Sequence, residues 1–102
     1  MAFTLSRTRA DDLHRALDPN TPATELMSLS LHKDSAVKAA VASRKDCPLA
    51  TLLNLSLEED TRVVEAVAGN PMLPERILEV LAEHKRGSVR AIARERLGLR
   101  AA

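Results

Sequence analysis

The chain repeats itself every 26 residues. Rows beginning at Thr21, Cys47 and Leu73 bring prolines into register at Pro22, Pro48 and Pro74. Leucines align at Leu26, Leu52, Leu78 and again at Leu29, Leu55, Leu81, and valines at Val37, Val63, Val89. A unit this short cannot bury an apolar face alone, so it must stack on its neighbours. That requirement constrains the fold more than any local propensity.

Each row reads as two helices. Proline opens the first at its initial helical position, where the missing N–H has no partner to lose. A leucine pair three residues apart then supplies one apolar stripe. Thr21 is the expected N-cap for the first row; Cys47 and Leu73 cannot cap, so those starts rest on proline alone. The second helix begins at Asp34, Asp60 or Gly87, each a capping residue by type. Val37-Ala40-Val41, Val63-Ala66-Val67 and Val89-Ile92-Ala93 follow at i, i+3 and i+4, a buried helix face.

Turn chemistry at Asp18-Pro19-Asn20 and Gly69-Asn70-Pro71 separates rows. Arg44-Lys45-Asp46 holds the same place without a breaker, which predicts a loosely fixed helix end. Leu13, Ala16 and Leu17 place one more helix over about residues 8–17, a half-repeat. No stretch alternates as a strand does. The expected fold is therefore all-α, an α–α superhelix (a short α-solenoid) in a single domain over 1–102. It comprises an N-terminal cap over 1–20, repeats over 21–46, 47–72 and 73–98, and a tail over 99–102. The periodicity leaves open a 3₁₀ element in each pair.

Composition agrees with this plan. One phenylalanine and no tryptophan or tyrosine leave leucine, valine, isoleucine and alanine to build the core. Cys47 is the single thiol, so no intramolecular disulfide forms, which suits a reducing compartment. No apolar run approaches the roughly 20 residues of a membrane helix. The N-terminal segment has no secretory apolar stretch, and Asp11 and Asp12 interrupt a transit-like composition. The expectation is a cytoplasmic protein without a membrane.

Val67-Ala68-Gly69-Asn70-Pro71-Met72-Leu73-Pro74-Glu75-Arg76-Ile77-Leu78, with Ser88-Val89-Arg90-Ala91-Ile92-Ala93, resembles the leucine-rich repeat variant family. Arg62–Ala68 and Ala36–Ala42 fit the second part of that unit. The likeness covers roughly residues 18 to 97 and is shared in part by HEAT- and armadillo-like repeats. It implies a right-handed superhelix of helices without a sheet. The rows here are slightly longer than the family unit. The family's cysteine-rich cluster-binding segment is absent, so the resemblance implies no iron–sulfur centre.

No constellation reads as catalytic, cofactor-binding or metal-ligating. His32 and His84 share a column with Glu58 between them, but rows about 8–10 Å apart place the two histidines beyond one coordination sphere. They read as exposed helix-end residues. The columns His32/Glu58/His84 and Lys33/Glu59/Lys85 alternate in sign and form a ladder between rows. Adjacent acids such as Asp11-Asp12 and Glu58-Glu59 point about 100° apart on a helix, which does not suit general acid–base work. A helix start beside Cys47 would lower its pKa, yet no histidine has a predictable place next to it.

Two surfaces remain. Lys38, Arg62, Val64 and Arg90 form a candidate partner surface, an apolar residue among cations suited to an unidentified protein or peptide. Arg86, Arg90 and Arg94 share one helix face and are the alternative, contacting nucleic-acid phosphates. Interleaved Glu83 and Glu95 and the lack of aromatics for base stacking disfavour that alternative. The functional expectation is a non-enzymatic scaffold or protein-interaction module. The stack is expected as a monomer or weak end-to-end oligomer, with Phe3 and Leu5 covering one end and Leu97 and Leu99 the other.

Overall fold

A computed structural model describes residues 8–101, and among them the chain forms seven helices and no strand. These are α1 (Arg9–Leu17), α2 (Ala23–Leu29), α3 (Ser35–Ala42), α4 (Leu49–Leu55), α5 (Thr61–Gly69), α6 (Glu75–Leu81) and α7 (Gly87–Ala101). The starts at Ala23, Leu49 and Glu75, and those at Ser35, Thr61 and Gly87, keep the spacing of the sequence repeat. Helices α1, α3, α5 and α7 pack one on the next, and α2, α4 and α6 each lie against the odd-numbered helix that follows. Every element is α-helix, so no member of a pair tightens to 3₁₀.

Helices α2, α4 and α6 begin one residue later than expected, just after the prolines. Pro22, Pro48 and Pro74 are the N-cap residues, in extended conformation with φ between −72° and −57°. Their carbonyls accept the first helical bonds, from Leu26, Leu52 and Leu78. Proline's fixed φ suits that conformation as well as it suits a helix. Thr21 is consequently no cap; its hydroxyl donates to the Arg15 carbonyl at 2.5 Å and ties down the end of α1.

The starts of α3 and α5 are capped as expected. Asp34 accepts from the Ala36 N–H at 2.8 Å and Asp60 from the Arg62 N–H at 2.9 Å. Gly87, expected as the third cap, is instead the first helical residue of α7. The position equivalent to Asp34 and Asp60 is Arg86. Thr8 caps α1 reciprocally, its hydroxyl accepting from the Asp11 N–H and the Asp11 carboxylate from the Thr8 N–H, both at 3.1 Å.

Buried Val37, Val41, Val63, Val67, Val89 and Ala93 line the packed odd layer, and Leu26, Leu29, Leu52, Leu55, Leu78 and Leu81 fill against it. Ala40, Ala66 and Ile92 pack on that core half-buried. Leu97 does the same, but Leu99 stays 67% exposed beside exposed Arg94, Glu95 and Gly98. The expected covering of this end is thus made by Leu97 alone; Phe3 and Leu5 lie outside the described residues. α7 continues through Ala101, so residues 99–101 are helix and not a separate tail. Gly98 does not stop it, since no glycine among the described residues takes a positive φ.

Rows are tied together by polar side chains at one repeated position. Asn70, 1% exposed, donates through Nδ2 to the carbonyls of Ala42 at 2.6 Å and Arg44 at 2.8 Å, the end of α3 in the preceding row. One row earlier Arg44 donates through Nη1 to Ala16 at 2.8 Å and Asp18 at 2.6 Å, the end of α1. The two donors reach back the same distances along the chain. Each satisfies helix-end carbonyls that have no partner within their own helix. Arg44 is held by a two-pronged pair with Asp46, at 2.8 Å for both Nε–Oδ1 and Nη2–Oδ2. The segment expected to be loosely fixed is therefore pinned.

Replacing Asn70 by alanine strips the Ala42 carbonyl of its donor and the Met72 N–H of its acceptor, while the Arg44 carbonyl keeps the Cys47 N–H at 3.2 Å, and urea denaturation should show a loss of about 1–3 kcal/mol. Asn54→Ala, at an exposed site, should change stability by less than about 0.5 kcal/mol. The caps predict the acid limb of stability. Asp34 is held below the ordinary carboxylate pKa first by the Ala36 N–H and then by Arg9, and Asp60 first by the Arg62 N–H and then by Ser35. A depressed folded-state pKa contributes stability above the unfolded value that disappears as pH falls through the folded one. Urea midpoints should therefore decline below about pH 4, and Asp34→Asn with Asp60→Asn, which still cap, should flatten that decline.

Candidate interaction surface

The expected partner surface does not exist as a surface. Val64 is fully buried in the core, because its column faces the next row and not solvent. Lys38, one row earlier in that column, is half-buried and forms an ion pair with Glu58 of the following row. Arg90, one row later, is half-buried and donates to the His84 carbonyl at 2.7 Å. Only Arg62 is well exposed, and it donates to the Ser35 hydroxyl at 2.6 Å. Of this set, the Lys38–Glu58 and Arg62–Ser35 pairs are contacts between rows.

The arginine face is also occupied from within. Arg86 donates to the Glu59 carbonyl and, at 2.6 Å, to the Thr61 hydroxyl of the preceding row. Arg90 and Arg94 donate to the carbonyls of His84 and Ala82, just past the end of α6. These guanidiniums satisfy backbone that α6 leaves unpaired, and Arg94 also lies 3.9 Å from Glu83.

The histidines are built into loops. His32 Nδ1 accepts the Asp34 N–H at 2.9 Å, and His84 Nδ1 accepts the Arg86 N–H at 3.1 Å. With Nδ1 accepting, His32 carries its proton on Nε2, which meets Asp12 Oδ2 at 2.9 Å. Both histidines are half-buried and not the exposed helix-end residues expected. Of the sign-alternating ladder, Glu59–Lys85 closes at 3.9 Å between two highly exposed groups, whereas Glu58 pairs with Lys38. Among the described residues no three His, Cys, Asp or Glu side chains gather as a metal site. Burial pushes the Cys47 thiol up to about 11, against the lowering expected from a helix start.

A different surface emerges on the outer side of α2 and α4. From Ala23 to Leu31 the exposed residues are Ala23, Thr24, Met27, Ser28 and Leu31, none of them charged. From Leu49 to Leu57 they are Leu49, Ala50, Leu53, Asn54 and Leu57, at the equivalent places and again uncharged. Leu31 and Leu57 are 83% and 80% exposed. In the third row the same places hold Glu75, Arg76, Glu79, Val80 and Glu83. The uncharged face therefore covers two rows and stops at an acidic edge.

Between α2 and α4 lies an open groove of about 400 Å³, walled by Met27, Leu31, Thr51 and Asn54. The equivalent groove between α4 and α6 has Leu57 and Val80 but also Glu58, Glu59, Lys85 and Arg86. The row pattern contained the signal for this face. Met27, Leu31, Leu53 and Leu57 are apolar residues in excess of the leucine stripe that α2 and α4 need to pack.

Compared with known protein families, curated proteins and solved structures, the chain matches none. No helix among the described residues is long and apolar enough to cross a membrane. Because Arg86 and Arg90 are half-buried and donate to carbonyls, leaving Arg94 the one exposed member of the stripe, fluorescence anisotropy should show no binding to mixed duplex or single-stranded DNA at low salt. Salt-sensitive binding abolished by Arg90→Ala with Arg94→Ala would reverse that expectation.

Proposed function

We propose that the chain is a non-enzymatic interaction module, a short α-solenoid of the leucine-rich repeat variant type that binds protein across the outer face of α2 and α4. The carrying observation is the two-row, uncharged, solvent-exposed surface in a chain of which 28% is charged. Large exposed apolar patches on soluble domains mark interaction sites, whereas scattered single residues do not. Fully burying an exposed leucine contributes about 1.5–3 kcal/mol, a value that applies to Leu31 and Leu57, with Met27 and Leu53, already about half covered or more, adding less.

Three features support the solenoid reading. Helix starts recur at the sequence period, successive odd helices pack in order, and the molecule measures 60 × 25 × 18 Å. Repeat folds bind through extended surfaces of this kind. The buried, protonated Cys47 thiol suits a reducing, cytoplasmic setting. A nucleic-acid role finds no free arginine stripe to rest on.

Site-specific photocrosslinking in cells tests the assignment. A photoreactive residue at position 53 should yield discrete protein adducts, and the same residue at exposed position 95 on α7 should not. Leu31→Glu with Leu57→Glu should abolish the adducts at 53. Equal labelling at 53 and 95, or none at 53, would remove the face as a binding surface.

A further inference from the structure

Resting on the reading of this face as a binding surface, we infer that the groove between α2 and α4 takes a neutral side-chain amide, an asparagine or glutamine of the partner, against the Thr51 hydroxyl. Thr51 lines the groove yet is only 3% exposed. Its hydroxyl pairs with no other described residue. Those of Ser30, Ser43 and Ser56 instead donate to carbonyls three or four residues back. Among the described residues, no side-chain polar atom sealed from solvent lacks a partner. The Thr51 hydroxyl is therefore reached from outside, through the groove that the residue lines.

The other rows satisfy this position from within. Its equivalent in row one is Glu25, which accepts from Arg15 Nε at 2.7 Å, and in row three Ile77, which packs on the core. Thr51 has neither the carboxylate for the first nor the length for the second. Its hydroxyl stays at the base of the groove, with exposed Met27, Leu31 and Asn54 around it. A leucine seated there would drive water from the hydroxyl and supply no partner in its place. A carboxylate or ammonium would be desolvated without a counter-charge, since all seven lining residues are uncharged. A neutral amide avoids both costs. It brings a donor and an acceptor together, and so spans the Thr51 hydroxyl and the Asn54 amide, each of which can give or take a hydrogen bond. A partner hydroxyl would serve Thr51 alone. The apolar stem of the incoming side chain then lies against Met27 and Leu31.

Titration of the full chain with isovaleramide, followed in two-dimensional amide NMR spectra, tests this. The probe carries a neutral amide on a branched apolar stem. Isovalerate and isopentylamine, a carboxylate and an ammonium of similar shape, are its comparisons. Isovaleramide should shift the backbone amides of Met27, Leu31, Thr51 and Asn54 saturably, with a Kd of roughly 1–30 mM for so small a ligand. The two ions should not saturate over that range. Thr51→Val keeps the size, in a column that already holds Ile77, and removes the hydroxyl. It should weaken isovaleramide binding by about threefold to tenfold, whereas Thr51→Ser should retain it. Shifts that do not saturate, an equal response to isovalerate, or undiminished binding by Thr51→Val overturns the amide site. Crosslinking at position 53 keeps the two readings apart. Adducts there that persist in Thr51→Val, alongside a failed titration, remove the amide and leave the binding face. No adducts at 53 removes the face and the partner's amide with it.

Discussion

The stack depends on what happens to carbonyls at the ends of α1 and α3. A helix terminates with acceptors that its own turns cannot satisfy, and in a thin two-layer fold many of them face the next row. Here the next row supplies the donor. Arg44 serves the end of α1 and Asn70 the end of α3, each from the turn that leads into the next proline-capped helix. The link is directional and deeply buried at Asn70, so it sets register between rows, while valine and alanine packing supplies most of the energy.

Most cationic side chains near the row junctions follow the same logic. Arg86, Arg90, Arg94 and Arg100 all donate to backbone carbonyls of loops or helix ends. A guanidinium carries several donors on a long stem, so it reaches such acceptors while its head stays partly in water. This explains why Arg86 and Arg90 are half-buried at a row junction, whereas Lys33, Lys45, Arg62 and Arg76 stay in solvent. The charges serve intramolecular satisfaction first. The outer face of α2 and α4 is set apart by its lack of charge.

The existence of the helices, their period and most of the core were legible in the residues. Leu26, Leu52, Leu78 and Val37, Val63, Val89 are read from spacing alone because stacking forces the same burial in every row. Val64 shows the limit. Its column holds Lys38 and Arg90, so it looked like an exposed place, yet the column points along the stack, where a row-to-row gap accepts either an ion-paired lysine or a valine. Periodicity within one helix defines which residues share a face. It does not say whether that face meets solvent or another row.

The sequence by itself determined an all-helical chain, the spacing of its elements and the carboxylate caps at Asp34 and Asp60. These depend on interactions only a few residues long. Tertiary structure alone decided which polar groups are spent inside the molecule and which surface is left over. Arg44, Asn70 and Arg86 find their acceptors more than twenty residues back along the chain, at distances set by how rows stack. The uncharged face of α2 and α4 is likewise defined by which sides of those helices α3 and α5 do not cover, a matter of packing direction that no single row contains.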